Sequence, residues 1–109
     1  MMYSMSFATG EVILLPIPFT DLSSRKVRPA IVVGLSSFAG DLFVVPISLQ
    51  SQNVDLQLLH WRGAGLNVPC GLKSQLATVE SRLVIKTVGR LSSEDHAACK
   101  KQLRTWLQL

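Results

Sequence analysis

Residues 11–35 read EVILLPIPFTDLSSRKVRPAIVVGL and contain two apolar runs separated by a polar segment. The first run, Glu11 to Phe19, is rich in Val, Ile and Leu, of which the β-branched residues favour strands. The segment from Thr20 to Arg28 carries the Asp and Ser residues that are typical of loops. The second run, Pro29 to Leu35, can begin with proline, because a first strand residue tolerates the missing amide hydrogen. The pattern predicts two strands joined by a basic loop.

Short apolar segments of the same kind continue through most of the chain. Four further strands are predicted, at Leu42 to Leu49, Val54 to Leu59, Leu72 to Val79 and Leu83 to Gly89. The stretch from Arg62 to Gly71 is rich in glycine and is predicted to be a loop. Six short strands with turn residues between them are typical of a small sandwich or barrel.

The C-terminal end has a helical pattern instead. Ser92, with Asp95 three residues later, resembles a capping pattern at the start of a helix. Cys99, Leu103 and Trp106 then recur at helical spacing. Acidic residues fall in the first turn and cations in the later turns, which suits the helix dipole. The basic cluster at this end is therefore explained by the helix itself.

The composition predicts one domain over residues 1–109, since 109 residues leave no room for a second. Apolar residues make up 48% of the chain, which is enough for a core. The apolar run near the start is interrupted by prolines and is shorter than the roughly 20 residues of a membrane-spanning helix. No positively charged secretory leader precedes it. We expect a cytoplasmic protein with no membrane association.

Two cysteines, Cys70 and Cys99, and two histidines, His60 and His96, match no metal-ligand spacing. We therefore expect two packed free thiols, no metal site and no cofactor. The sequence also lacks a paired-carboxylate motif, a Ser-His-Asp set and the glycine-rich loops that bind nucleotides. If the chain is an enzyme, its chemistry must depend on cations and hydroxyls.

The net charge of +4 indicates an anionic partner. Three cations, Arg25, Lys26 and Arg28, lie between the first two strands with no acid among them. Because Arg28 precedes a proline, its backbone is biased to an extended conformation and its side chain has a defined direction. Its guanidinium fork suits phosphate oxygens. The alternative is a solvated loop without a specific role.

Other polar side chains stand where strands three and five would place them. Ser48 closes strand three, where its hydroxyl could orient a phosphate or cap a turn. Lys73, Gln75 and Thr78 lie on strand five, and glutamine can contact a base edge or satisfy the backbone of a sheet. Trp61 could stack on an unpaired base or cover the end of the barrel.

The same segments resemble the MazF/PemK toxins of type II toxin-antitoxin systems. The resemblance rests on five stretches in the right order: Gly10 to Leu22, Arg28 to Val33, Val45 to Ser48, Ser74 to Val79 and Gly89 to Ser92. It covers nearly the whole chain. It implies a mainly β, small SH3-like barrel of the MazF/CcdB type with a C-terminal helix. It also implies a homodimer and a cognate antitoxin as partner.

The activity implied by the resemblance is that of a metal-independent endoribonuclease, an RNA interferase that cleaves single-stranded mRNA. The arginine before proline and the hydroxyl that ends strand three serve the active site in such toxins, which makes Arg28 and Ser48 the catalytic residues here. Arg25 and Lys26 would contact the substrate. Ser74 stands where some members carry an acid proposed as the general base, so the base is not assigned.

We expect the ribose 2′-OH to attack the adjacent phosphate while Arg28 stabilises the developing charge. Base preference would come from the strand-five residues Lys73, Gln75 and Thr78. One alternative is a gyrase poison of the related CcdB type, which uses a tryptophan near the C-terminus, here Trp106. Another is an inactive barrel that only binds RNA or protein.

Overall fold

The computed structural model describes residues 6–16, 26–37, 40–49 and 52–109. Within these residues it contains seven strands, one 3₁₀ turn and one α-helix. In chain order they are β1 (Glu11–Pro16), β2 (Val27–Leu35), β3 (Asp41–Ser48), β4 (Leu56–Gln57), β5 (Gly71–Leu72), β6 (Ala77–Glu80), the 3₁₀ turn (Ser81–Leu83), β7 (Lys86–Arg90) and α1 (Ser93–Leu107). A mainly β chain with a C-terminal helix is what the sequence predicts.

The strands form one antiparallel sheet in the order β4-β5-β3-β2-β1-β7. Two short strands pair with the same edge of β3: β6 pairs with its first half, and β5 pairs with its last two residues. Among the described strands, none joins β4 to β7, so the barrel is not closed by hydrogen bonds. A loop covers part of this gap, since a side chain at Gly65 or Gly89 would collide with the backbone across it. Glycine is required at both positions for this close approach.

The sheet is apolar on both faces, and each face has its own core. In β2, Ile31 belongs to one core, whereas Ala30 and Val32 belong to the other. This is the alternation expected of a strand. The first core, which includes Ile31, Val45 and Leu72, is covered by α1 and by the segment before β5. The second core, which includes Ile13, Val32 and Val44, is covered by Phe7 and Val84.

The helix is fixed to the sheet by its first turn. The Ser92 side chain accepts a hydrogen bond from the Asp95 amide at 3.1 Å, which confirms the predicted cap. The Asp95 carboxylate, only 2% exposed, accepts hydrogen bonds from the Leu59 and His60 amides at 2.9 and 2.8 Å. It therefore joins the helix to the loop between β4 and β5 instead of completing a capping box.

Two strand predictions are corrected by the pairing pattern. Strand β2 starts at Val27, so Arg28 lies in the strand and not in the loop predicted to run from Thr20 to Arg28. The early start follows from pairing with β1, where Arg28 lies opposite Leu15. The predicted strand Val54 to Leu59 is reduced to the two residues of β4. The part of the first predicted strand beyond Pro16 lies outside the described residues.

The predicted strand from Leu72 to Val79 is wrong as a single element. It is divided into β5 and β6, and residues 73–76 form a turn in which the Gln75 amide donates to the Lys73 carbonyl at 2.7 Å. The interruption faces Pro46 of β3, which has no amide hydrogen to offer a neighbouring strand. The predicted strand from Leu83 to Gly89 likewise becomes the 3₁₀ turn followed by β7.

The described part of the chain contains no helix that is both long and apolar enough to cross a membrane.

Cys70 and Cys99 are free thiols, buried as expected, and both belong to the first core. Trp106 packs against the same core, and its indole N–H donates to Asp55 at 3.1 Å. The core role predicted for Trp106 is therefore confirmed.

Candidate functional site

The two residues predicted to be catalytic come together at the ends of β2 and β3. Ala30 lies opposite Pro46 in the antiparallel pair. This is the last residue pair of the two strands, and continuing the same register for two residues along each strand brings Arg28 opposite Ser48. Side chains opposite one another in an antiparallel pair share a face of the sheet. Arg28 is exposed and Ser48 is half-buried, so a ligand on this face can reach both.

Two further cations flank this pair. Leu72 of β5 lies opposite Ile47, and Lys73 is the first residue after β5, so the chain leaves the sheet there beside the end of β3. Lys26 directly precedes β2 and is exposed. Within the described residues, neither lysine nor Arg28 takes part in an ion pair. The cations are therefore available to an anionic ligand. Arg25, predicted to contact the substrate, lies outside the described residues.

A cleft of about 700 Å³ begins at Pro46 and runs along β6. Strand β6 pairs with β3 on one edge, and no described strand pairs with its other edge. The residues that line the cleft are Pro16, Pro46, Ser74, Gln75, Leu76, Ala77, Thr78, Val79, Glu80 and Leu83. The cleft thus contains two predicted substrate contacts, Gln75 and Thr78. Arg28 and Ser48 do not line it, but its Pro46 end is two residues from Ser48 along β3.

The lining of the cleft is mostly uncharged. Prolines and leucines supply apolar surface, and Ser74, Gln75 and Thr78 supply hydrogen-bonding groups. Of the described side chains that line it, Glu80 alone is charged, and Arg82 donates to its carboxylate at 2.6 Å. Glu80 was missed in the sequence analysis. Because strand side chains alternate, Thr78 and Glu80 share a face of β6, and extending the pattern from Thr78 would have found it.

No histidine lines the cleft within the described part of the chain. His60 contacts Glu94 at 3.2 Å near the start of the helix. The ring of His96 lies against Gly10. Burial lowers the pKa of His96, and the neighbouring charges of Lys100 and Arg90 lower it further. Neither histidine is placed to exchange a proton with a ligand in the cleft.

The two cysteines are not activated nucleophiles. Burial raises the pKa of Cys99 to about 11. Burial and then the charge of Asp95 raise the pKa of Cys70 to about 11 as well. Both thiols therefore stay protonated at neutral pH, and the thiolate is the reactive form. The described residues also include no group of three His, Cys, Asp or Glu side chains that could hold a metal ion.

Trp61 is placed as a cover for the core and not as an open stacking surface. It is half-buried and packs against the first core. The guanidinium of Arg62 lies over its ring, 5.0 Å from the centroid. That contact is a cation–π interaction and occupies one face of the indole. The polar ligand contacts are thus concentrated at the cleft and at the Arg28–Ser48 pair.

Comparison with known families fits this arrangement. The model of the PemK-like, MazF-like toxins of type II toxin-antitoxin systems matches residues 8–107. The chain belongs to this family. The resemblance seen in five stretches of the sequence is thereby confirmed. No curated protein matches the sequence.

Solved structures of MazF toxins share the fold. Mycobacterium tuberculosis toxin MazF-mt6 superposes with a TM-score of 0.71 at 15% identity, covering 91% of this chain and 97% of that one. A structure of MazE-MazF from Deinococcus radiodurans gives 0.73 at 16% identity, covering 98% and 99%. At such identities the likeness establishes the fold. The MazF-type architecture predicted from the sequence is confirmed, with the barrel left open between β4 and β7.

Proposed function

We propose that this MazF-like toxin is a metal-independent endoribonuclease that cleaves single-stranded RNA. The observation that carries the proposal is the convergence of Arg28, Ser48 and Lys73 around Pro46, at the end of the cleft away from Glu80. Cations and a hydroxyl suit a phosphate, whereas neutral hydrogen-bonding groups and apolar surface suit bases. The groups suited to a phosphate and the groups suited to a base lie next to each other at Pro46, so one RNA strand could contact both.

The cleft favours an unpaired strand over a duplex. In paired RNA the base edges are engaged and the stacked faces are covered, so sequence contacts target single strands. Leu76 and Leu83 offer apolar surface against which a base could pack, and Gln75 offers both a donor and an acceptor to a base edge. The unpaired edge of β6 adds backbone groups to this surface.

The reaction uses the nucleophile of the substrate. The ribose 2′-hydroxyl loses its proton as its oxygen forms a bond to the adjacent phosphorus. The bond from phosphorus to the 5′-oxygen of the next nucleotide breaks, and that oxygen takes up a proton. The products carry a 2′,3′-cyclic phosphate and a 5′-hydroxyl. Arg28 stabilises the charge that develops on the non-bridging oxygens, and Ser48 orients the phosphate. Attack within one ribose removes much of the entropic barrier, so no side chain has to activate water.

The net charge of the toxin and the exposed apolar side chains beside the cleft indicate what kinds of partner it binds. A cognate antitoxin with an acidic or amphipathic segment would complement the net charge of +4. The exposed side chains of Leu76, Leu83 and Ile85 lie at or near the cleft. A symmetric second copy would cover them and form part of the RNA groove, so we expect a cytoplasmic homodimer.

Two assays in parallel test the proposal. Purified toxin is incubated with single-stranded RNA, and the 5′ ends of the products are tested for a hydroxyl by labelling with polynucleotide kinase. The same preparation is added to a gyrase supercoiling reaction. We expect RNA fragments with 5′-hydroxyl ends and unaffected supercoiling. Inhibition of gyrase with intact RNA would instead support a poison, although Trp106 is held against the core and bonded to Asp55.

A further inference from the structure

The cleft has an acidic end that the proposed cleavage chemistry does not use. Glu80 lies opposite Asp41 at the start of β3, whereas Ser48 lies at the end of the same strand. Strand β3 has 8 residues, and at about 3.3 Å per residue its ends are about 23 Å apart. Asp41 and Ser48 are an odd number of positions apart, so Glu80 and Ser48 project from opposite faces of the sheet. An RNA strand that reaches both must pass over the edge of β6 that pairs with no described strand. Glu80 is therefore too far from the Arg28–Ser48 pair to act in the chemical step.

The two carboxylates at this end disfavour a phosphate. Two carboxylates directly opposite one another on adjacent strands repel each other and would repel a phosphate oxygen as well. Arg82 offsets the repulsion, because its Nε donates to one oxygen of Glu80 at 2.6 Å. A carboxylate has about four acceptor sites, so Glu80 can accept further hydrogen bonds from a ligand in the cleft. The ligand group at this end must be a hydrogen-bond donor.

We propose that Glu80 recognises a guanine base of the RNA, held in position by Arg82; this inference rests on the proposed function. The Watson–Crick edge of guanine presents two adjacent donors, N1–H and the N2 amino group, which match the two oxygens of a carboxylate. Adenine and cytosine present one amino group beside an acceptor, and uracil presents one N–H between two carbonyls. Glu80 therefore discriminates among bases while Arg28 and Ser48 act on the phosphate.

The separation of the two ends sets the position of this guanine. A stacked strand advances about 3.4 Å per nucleotide, and an unstacked strand advances farther. The straight span of about 23 Å, from 8 residues of β3, corresponds to about seven stacked nucleotides, and the path over the edge of β6 is longer than this span. The guanine should thus occur several nucleotides from the cut, at one fixed distance from it.

The test compares Glu80→Gln with the wild type on a pool of single-stranded RNA with randomised sequence, in which the cut sites are found by sequencing. Glutamine keeps the size of the side chain but replaces one acceptor oxygen with a donor. We expect a fixed guanine in the wild-type sites and a preference for it that falls about 5- to 150-fold in the variant, the range for a bidentate base contact. Thermal melting checks that the variant is folded.

Glu94→Gln is the matched control. Glu94 is an exposed carboxylate that contacts His60 near the start of the helix, and it does not line the cleft. The control should keep the wild-type preference. A wild type that cuts RNA with the same base preference as folded Glu80→Gln overturns this inference alone. A wild type that cuts no RNA in the pool overturns the proposed function and this inference with it.

Discussion

Replacing Arg28 with alanine should separate catalysis from folding. Arg28 is exposed and, within the described residues, forms no ion pair. Surface substitutions of this kind change the free energy of unfolding by about 0.5 kcal/mol or less. In the proposed mechanism, however, the guanidinium stabilises the charge of the transition state. Loss of one such donor reduces the rate by about 10²–10³, which corresponds to about 2.7–4 kcal/mol in the barrier. The effect on activity should therefore far exceed the effect on stability.

The assay measures cleavage of a fluorescent single-stranded RNA under single-turnover conditions, with thermal melting of the same samples. Arg104→Ala is the matched control, because it removes the same charge from an exposed position on α1. The control should cut RNA at close to the wild-type rate. The reasoning is refuted if Arg28→Ala stays within a few-fold of wild type, or if it melts so early that unfolding explains its inactivity.

Three further substitutions or treatments have defined outcomes. Ser48→Ala should slow cleavage, whereas Ser48→Thr should retain most of it, because only the second keeps the hydroxyl; equal rates would remove Ser48 from the site. Asp95→Ala should lower the urea concentration at the midpoint of unfolding, because two backbone amides lose their acceptor. Each loss costs about 1–3 kcal/mol of unfolding free energy. Glu94→Ala, at an exposed neighbouring position, should leave the midpoint unchanged. The pKa values of Cys70 and Cys99 are raised to about 11. Both thiols should resist thiol reagents at pH 8 in the folded protein and react after unfolding in urea. Rapid labelling without urea would contradict their burial.

The parts of the fold that the sequence predicted are those with a strong local pattern. Strands β1, β2 and β3 contain several Val and Ile residues, and Ser92 caps the start of α1. Each of these four elements was therefore predicted from its own residues. Asp95 was assigned to the cap by its spacing. Its carboxylate instead bonds to amides 35 and 36 positions away, and such a partner is set by the tertiary fold.

The division of the predicted fifth strand could not be found by inspecting that segment alone. Residues 72–79 look continuous in the sequence, but β5 and β6 pair with opposite halves of β3 on either side of Pro46. The cause thus lies in another strand, more than 20 positions earlier in the sequence. The same break produces the turn at Ser74 and Gln75 that forms part of the cleft.

The candidate site was predicted residue by residue, but its geometry was not. Arg28 and Ser48 were proposed separately, each from its neighbours and from the family resemblance. The register of β2 and β3, continued two residues past Ala30 and Pro46, brings them opposite one another. Lys73 joins them because β5 pairs with the last residues of β3. Glu80 was missed because a single acid in a short strand has no motif that distinguishes it from a solvated charge.

The most direct test of the account uses two versions of one short RNA that contains the cleavage site. One version has native ribose throughout, and the other has a single 2′-deoxy sugar on the 5′ side of the cut. Both are incubated with the toxin in the presence of EDTA. The account predicts that the native RNA is cut and the substituted RNA survives, because the nucleophile is the missing 2′-hydroxyl. Cleavage of the deoxy substrate at a similar rate, or loss of native cleavage in EDTA, would contradict it.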